Sequence, residues 1–497
     1  GKARRDRVIV LQTGDPLILP GPPDGGKSAL TLSVLDLLAN ERGAEATCLN
    51  LRDLPATTAE LEHLLGSTLA EVFGATSVAQ RRMLLIDGGE AVLEGRRRLL
   101  QDIAAAAIDA GLQLVVVTRG DALAAVDQTI DEIAPKAEAD SGRRHDVPAL
   151  ADDEVQAVVE AFPVLQRIAN QPRARWLVRR LGLVDVVLRS EAADGLGTGG
   201  LCEGDVFRAV WFRLVRHQEQ VTDSGATPDG RDAALAELAR RELFPGSEPR
   251  PIVDVHALAS LRSDGLLLPL GEGLAWTARD SFADDLVRDL AVARLLLSDH
   301  SQLRDATAPR WALRAARLAC QARLADSLPD CEGERRALQS EYSDLAAAYG
   351  DRWADVPWEA LATLGDPTQA LEGAWPSLVA DDGAELQRLI RVLKQRYTEG
   401  ATFLDPETGR GVISLLLDHR DEVASLRGAV TKAVDQLMTA WLRGLSRRSG
   451  DGPDQARQRL RDAVLDMDRM SDEGLAQLAL LGPDLDDRAA ESLRKLA

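Results

Sequence analysis

The chain has 497 residues, 45% of them apolar, enough to fill several packed cores. Its 59 Lys and Arg stand against 79 Asp and Glu, a formal charge of −20 that argues against a sequence-independent grip on nucleic-acid phosphates. Cys48, Cys202, Cys320 and Cys331 show neither CxxC pairing nor histidines at metal spacing, and no apolar run reaches the roughly 18 residues a bilayer span needs, so the expectation is a reduced, cytoplasmic protein without a membrane partner.

From residue 8 to residue 150, short apolar runs alternate with longer helical stretches. Strands are predicted at 8–11, 17–19, 47–51, 83–86, 112–118 and 145–147, and helices at 28–38, 58–73 and 91–110. This βαβα rhythm predicts a parallel sheet covered by helices on both faces, and ligands of such sheets lie at the carboxyl ends of the strands.

Three of those ends carry chemistry. Gly21-Pro22-Pro23-Asp24-Gly25-Gly26-Lys27-Ser28 is a complete GxxxxGK[ST] octet between an apolar strand and the helix opening at Ala29-Leu30-Thr31. The backbone from Gly21 through Gly25, Gly26 and Ala29 would cradle phosphates at a helix N-terminus, with Lys27 on the β- and γ-phosphates and Ser28 on Mg²⁺. Met83-Leu84-Leu85-Ile86 runs into Asp87-Gly88-Gly89-Glu90. Asp87 is expected to hold Mg²⁺ with Ser28, and Glu90 to orient or deprotonate an attacking water. The strand at 112–118 ends in Thr118-Arg119, a polar pair suited to sensing a γ-phosphate.

Beyond the sheet, residues 152–189 are helical in pattern after the acidic entry Asp152-Asp153-Glu154, and Gly195-Leu196-Gly197-Thr198-Gly199-Gly200 reads as a linker. Helices at 205–217, 231–243 and 253–264 precede extended runs at 266–270 and 274–277 around Gly271-Glu272-Gly273, a winged-helix pattern. Its last helix carries only Arg262, which favours an internal, nucleotide-gating use over DNA binding. From 299 onward helices are predicted at 311–328, 334–349, 358–364, 383–397, 412–417, 423–445 and 455–465, a solenoid-like stack without a fixed repeat. Trp311, Trp353, Trp358, Trp375 and Trp441 read as packing between these helices.

The Leu84-Leu85-Ile86-Asp87-Gly88-Gly89-Glu90 and Val116-Val117-Thr118-Arg119 segments resemble those of STAND-type P-loop NTPases, relatives of AAA+ proteins that include the NACHT and apoptotic-ATPase groups. The resemblance implies an α/β P-loop NTPase core at 1–150, a helical lid at 151–200, a winged-helix domain at 201–298 and an α-helical repeat-like region at 299–497. It implies Pro172 as the lid proline against adenine, catalytic roles for Lys27, Glu90 and Arg119, and nucleotide contacts from Gly21, Gly25, Gly26, Lys27, Ser28, Ala29, Asp87, Thr118 and Pro172. Two residues depart from the family: Asp24 stands where glycine is common, and Asp284 where a histidine contacts the β-phosphate of ADP, so either the off-state lock is weaker or its contact comes from elsewhere, and the departures bear on hydrolysis more than on binding.

The implied function is an ATP/ADP-binding, Mg²⁺-dependent signalling switch with slow ATPase turnover. A protein trigger, an effector domain and self-association go with it, and the implied settings are bacterial stress or antiviral defence, regulated transcription or programmed death, of which defence is expected because no DNA-reading or protease-like module accompanies the switch. Two alternatives stay open: an AAA+-like remodelling or loader ATPase, with Arg143 or Arg144 as an arginine finger, and a nucleotide-binding scaffold without turnover.

Overall fold

The structure, a computed structural model, describes residues 16–446 apart from 22–24, 43, 76–80, 136–142, 148, 172–174, 192–201, 218–224, 246, 249, 251, 253, 255, 271–278, 299–300, 329, 400–402 and 427. The chain divides into two compact units, Gly1–Ala169 with Trp176–Arg189, and Asn170–Arg175 with Ser190–Ala497.

In the first unit, β1 (Leu17–Gly21), α1 (Lys27–Arg42), β2 (Ala44–Asn50), α2 (Thr58–Leu65), α3 (Leu69–Ala75), β3 (Arg81–Asp87), α4 (Arg97–Asp109), β4 (Gln113–Arg119) and α5 (Leu123–Asp131) follow in order. The four strands form one parallel sheet in the order β1-β4-β3-β2. The predicted strand at 145–147 lies along the free side of β1 as an extended run: Ile18 bridges Arg144, and the His145 and Val147 amides donate to Ile18 and Pro20 carbonyls at 3.0 and 2.8 Å. The strand predicted at 8–11 lies outside the described residues.

Alternation along the strands sorts the core into two layers. Ile18, Leu84, Ile86, Leu114 and Val116 pack with Leu100 and Ile103 of α4 and Val126 and Ile130 of α5. Leu17, Leu19, Met83, Leu85, Val115 and Val117 pack on the other face with Val34 and Leu35 of α1. Both faces are covered, which is why these strands read as near-continuous apolar runs.

Two predicted helices are broken by glycine. The one at 58–73 ends first at Gly66, whose φ of 69° closes α2 after the Thr57/Glu60 capping box opens it. The one at 91–110 starts as a 3₁₀ turn, Gly89–Glu94, and resumes as α4 after Gly95. Helices Asp152–Ala161, Gln166–Ala169, Arg175–Val178 and Leu181–Ser190 occupy the stretch predicted helical after the sheet.

The second unit is largely helical. The helix predicted at 205–217 runs as Glu203–Val210 and finishes in a π turn, Trp211–Val215, whose Leu214 and Val215 carbonyls accept from the fully buried Arg231. Helices Pro228–Leu243 and Ala257–Ser263 precede an antiparallel hairpin, β5 (Leu267–Leu270) with β6 (Arg279–Phe282), so the partner of the first extended run is Arg279–Phe282. The run predicted at 274–277 lies outside the described residues. Further on, helices Asp285–Ser298, Leu313–Asp326, Glu332–Tyr349, Val356–Ala362, Thr368–Arg396, Pro406–Asp418 and Gly428–Ser446 pack on one another, with an unforeseen small hairpin, β7 (Thr398–Glu399) and β8 (Phe403–Leu404). The long helix turns sharply at Asp381, Asp382 and Gly383, all left-handed, which separates the predicted 383–397 helix from its forerunner. The helix predicted at 455–465 lies outside the described residues.

The indoles are packed between helices as expected. Trp353 stacks with Tyr342, Trp358 lies under the Arg335 guanidinium, Trp375 donates to Glu422 at 2.7 Å, and Trp441 donates to the Pro406 carbonyl at 2.9 Å.

Candidate functional site

Because every strand of the sheet is parallel, the ends of β1, β3 and β4 fall on one edge. Register sets the end of β1 directly beside the end of β4: Gly21 is the Cα partner of Arg119, and Pro20 that of Thr118. Gly21 sits where a side chain has no room, since a Cβ there would lie 2.5 Å from the Val147 carbonyl oxygen and 3.0 Å from Lys27 Cδ. Gly26 takes a φ of 79°, which glycine adopts without strain, and its carbonyl accepts from Leu30 at 2.8 Å to start α1. No acidic residue occupies the first turn of that helix, so its partial positive charge stays available to an anion. Asp24 of the loop lies outside the described residues.

The alternation that builds the core also aims the acid. Asp87 continues the Met83, Leu85 series of β3 and therefore faces α1, where Ser28 hydrogen-bonds its carboxylate and Lys27 supplies a favourable charge. A second bond comes from the Gly88 amide at 2.8 Å. Burial nonetheless pushes the Asp87 carboxyl above its ordinary range, helped by the nearby Glu90 charge and opposed by Ser28, Gly88 and Lys27. A half-buried carboxylate and a hydroxyl, already in contact beside a lysine, suit a hard divalent cation accompanied by phosphate.

Thr118 belongs to the other layer. It is fully buried next to the Gly89 turn, where a Cβ on Gly89 would lie 3.2 Å from Thr118 Cβ, and its hydroxyl finds no hydrogen-bond partner among the described residues. By the same alternation Arg119 shares the α1 face with Asp87. Ala29 is exposed in the first turn of α1.

Glu90 is 5% exposed in the 3₁₀ turn Gly89–Glu94, and a residue absent from the sequence reading holds it: Arg52 lies 3.3 Å from Glu90 Oε1 and 3.1 Å from Glu94 Oε1. Arg52 is placed by β2, which pairs Asn50 with Asp87; the Leu51 amide then donates to the Asp87 carbonyl at 2.9 Å, and the Arg52 amide to Asn50 Oδ1 at 3.1 Å. The available signal was a cation two residues past the strand that flanks the acidic one. Lys27, Ser28, Asp87, Glu90 and Arg52 thus form one cluster, with Gly21 and Arg119 level at its edge.

Other sequence candidates lie elsewhere. Arg143 is buried and paired with Asp131, and Arg144 is paired with Asp127, so both have partners within their own unit. Asp284, in the second unit, accepts the Val287 amide at 2.8 Å and caps helix Asp285–Ser298. Arg262, the one cation on its helix, is engaged by Asp280 of the hairpin, with 2.8 Å between Nη2 and Oδ2. Pro172 lies outside the described residues. Among the described residues there is no cluster of His, Cys, Asp and Glu able to hold a metal by itself, all four cysteines are free, and no helix is long and apolar enough to cross a membrane.

The structure thus sets the end of β1, which leads into the GxxxxGK[ST] octet, and the acid ending β3 on one edge of a parallel α/β sheet, followed by a largely helical region. No family model and no curated protein matches the chain. Among solved structures, the ADP form of the ORC2 protein from Aeropyrum pernix aligns over 59% of this chain and 93% of that one, at 15% identity and a TM-score of 0.29.

Proposed function

We propose that this chain is an ATP/ADP-binding, Mg²⁺-dependent switch of the STAND type, with slow hydrolysis. The observation that carries the reading is the contact between the Ser28 hydroxyl and the Asp87 carboxylate at the N-terminus of α1, with Lys27 beside it. Lys27 neutralises phosphate charge, the loop amides and the helix N-terminus bind phosphate oxygens, and Ser28 with Asp87 would hold the ion. Mg²⁺ held there would offset the negative charge that develops on the phosphate oxygens.

Arg52 supports a switch over a continuously working motor, because the carboxylate placed to orient water is engaged by a guanidinium. Release of Glu90 is then a step that a trigger could control. The winged helix, the lid, a protein trigger, self-association and a defence setting belong to this same reading by resemblance of sequence alone.

The test is the nucleotide content of the purified chain and of its Lys27→Ala variant. Bound ADP or ATP is expected in the parent, and most of it should be missing from the variant. Equal content in the two would remove the phosphate-loop assignment.

A further inference from the structure

Away from the sheet, in the second unit, a cleft of about 500 Å³ runs between the later half of helix Thr368–Arg396 and helix Gly428–Ser446. Its wall carries Gln387, Arg388, Arg391, Lys394 and Gln395, with Ala433 opposite; every charged residue lining it is cationic. In a chain of net charge −20 that is a local reversal of sign. The cations recur at i, i+3 and i+6, so they share one helix face and span about 9 Å along the axis.

What lies behind the wall orients them. Asp355, 4% exposed, accepts from Arg388 at 3.2 Å and from Arg391 at 2.8 Å through the same oxygen, Oδ1. Glu385 lies 3.5 Å from Arg388 Nε and also accepts from the Trp358 indole. Lys394 reaches Gln436. Two guanidiniums with five N–H donors each, fixed by one shared carboxylate oxygen, keep donors for a ligand while losing little freedom on binding it.

We propose that this cleft is a binding site for a small molecule bearing two or more phosphate groups. The volume is that of a small-ligand pocket, the spacing suits a phosphate chain, and planar guanidiniums match phosphate oxygens bidentately. The site is independent of the phosphate loop and stands or falls separately from it.

The experiment titrates the full chain carrying Lys27→Ala with inorganic pyrophosphate and, in a second arm, with ADP, by calorimetry at low and high salt. One saturable site is expected, weakened by salt. Lys394→Gln, which removes a cation whose ammonium reaches the exposed Gln436, should weaken binding about tenfold. Gln387→Glu, which places a carboxylate in the cleft, should weaken it at least as much. Equal affinity for the two probes means that phosphate alone is read, and tighter ADP means that the nucleoside contributes. Absence of saturation up to about 1 mM, or binding unchanged in both cleft variants, overturns the proposal.

Discussion

Under the proposed function, Arg52→Ala separates a restrained ATPase from an unrestrained one. The guanidinium sits 3.3 Å from Glu90 and 3.1 Å from Glu94, with side-chain exposures of 11%, 7% and 17% for the three residues. At an effective dielectric constant near 20, each contact has a gross attraction of about 5 kcal/mol, which desolvation of the ions largely offsets. Deleting the cation leaves two poorly solvated carboxylates, so a loss of about 3 kcal/mol in stability is expected, measurable by denaturant unfolding. Turnover should move the other way. With its competing cation gone, Glu90 is free to accept a bond from water, and single-turnover ATP hydrolysis should quicken by about tenfold or more, equivalent to roughly 1.4 kcal/mol of barrier. Adding Glu90→Gln should return the double variant to the slow rate. A folded Arg52→Ala protein that binds nucleotide normally yet hydrolyses at or below the parental rate would refute the restraint.

Asp87→Asn should abolish the Mg²⁺ contribution to ADP affinity while leaving much of the metal-free binding, as compared by calorimetry with and without Mg²⁺. Its stability effect has a definite sign: the folded carboxyl titrates above its unfolded value, so between those two values the native state holds the extra proton and stability falls as pH rises. Without metal at neutral pH, Asp87→Asn should therefore be at least as stable as the parent, and a clearly less stable variant would contradict the burial argument. For the parent, the Mg²⁺ contribution should begin to fade on acidification at a pH above the ordinary aspartate range. Gly21→Ala forces a Cβ to within 2.5 Å of the Val147 carbonyl and should cost about 1–3 kcal/mol together with nucleotide binding; a variant matching the parent in both would show that the loop yields easily. Among the thiols, Cys202 and Cys320 are pushed up to about 12 by burial, so a thiol reagent at neutral pH should modify the exposed Cys48 first and reach those two only on unfolding.

β1, β3 and β4 were legible because parallel strands buried on both faces have no polar alternation to hide them; the edge strand β2 is partly exposed, and all four strands of the sheet begin or end within three residues of the predicted runs. Turn chemistry was harder to read. Gly66 and Gly95 interrupt helices whose apolar period continues past them, and the period alone favoured single long elements. Helix α5 leaves little trace in the sequence because its anchors Leu123, Val126 and Ile130 are separated by Ala, Asp, Gln and Thr, a weak stripe that packing against the sheet makes stable. The second strand of the hairpin, Arg279–Phe282, has no signal of its own in the sequence, because Arg-Asp-Ser-Phe carries almost no β-propensity and is held by pairing with Leu267–Leu270.

The site divides along the same physical line. Lys27, Ser28 and Asp87, which the structure brings together, stand out as candidates in the chain because the pattern is local: a loop, a helix start, and an acid after an apolar run. Which face Asp87 presents also follows locally, since a period of two ties it to Met83 and Leu85 and so to α1. Arg52 obeys no such rule. It approaches Glu90 from 38 positions upstream, and does so only because β2 pairs with β3 in a register that sets Asn50 against Asp87. Strand order and register are long-range quantities that no local window contains, so a residue whose role depends on them is invisible until the sheet is assembled. The basic cleft is hidden for the same reason: Arg388, Arg391 and Lys394 read as an ordinary solvated helix face until Asp355 and helix Gly428–Ser446 are placed against them.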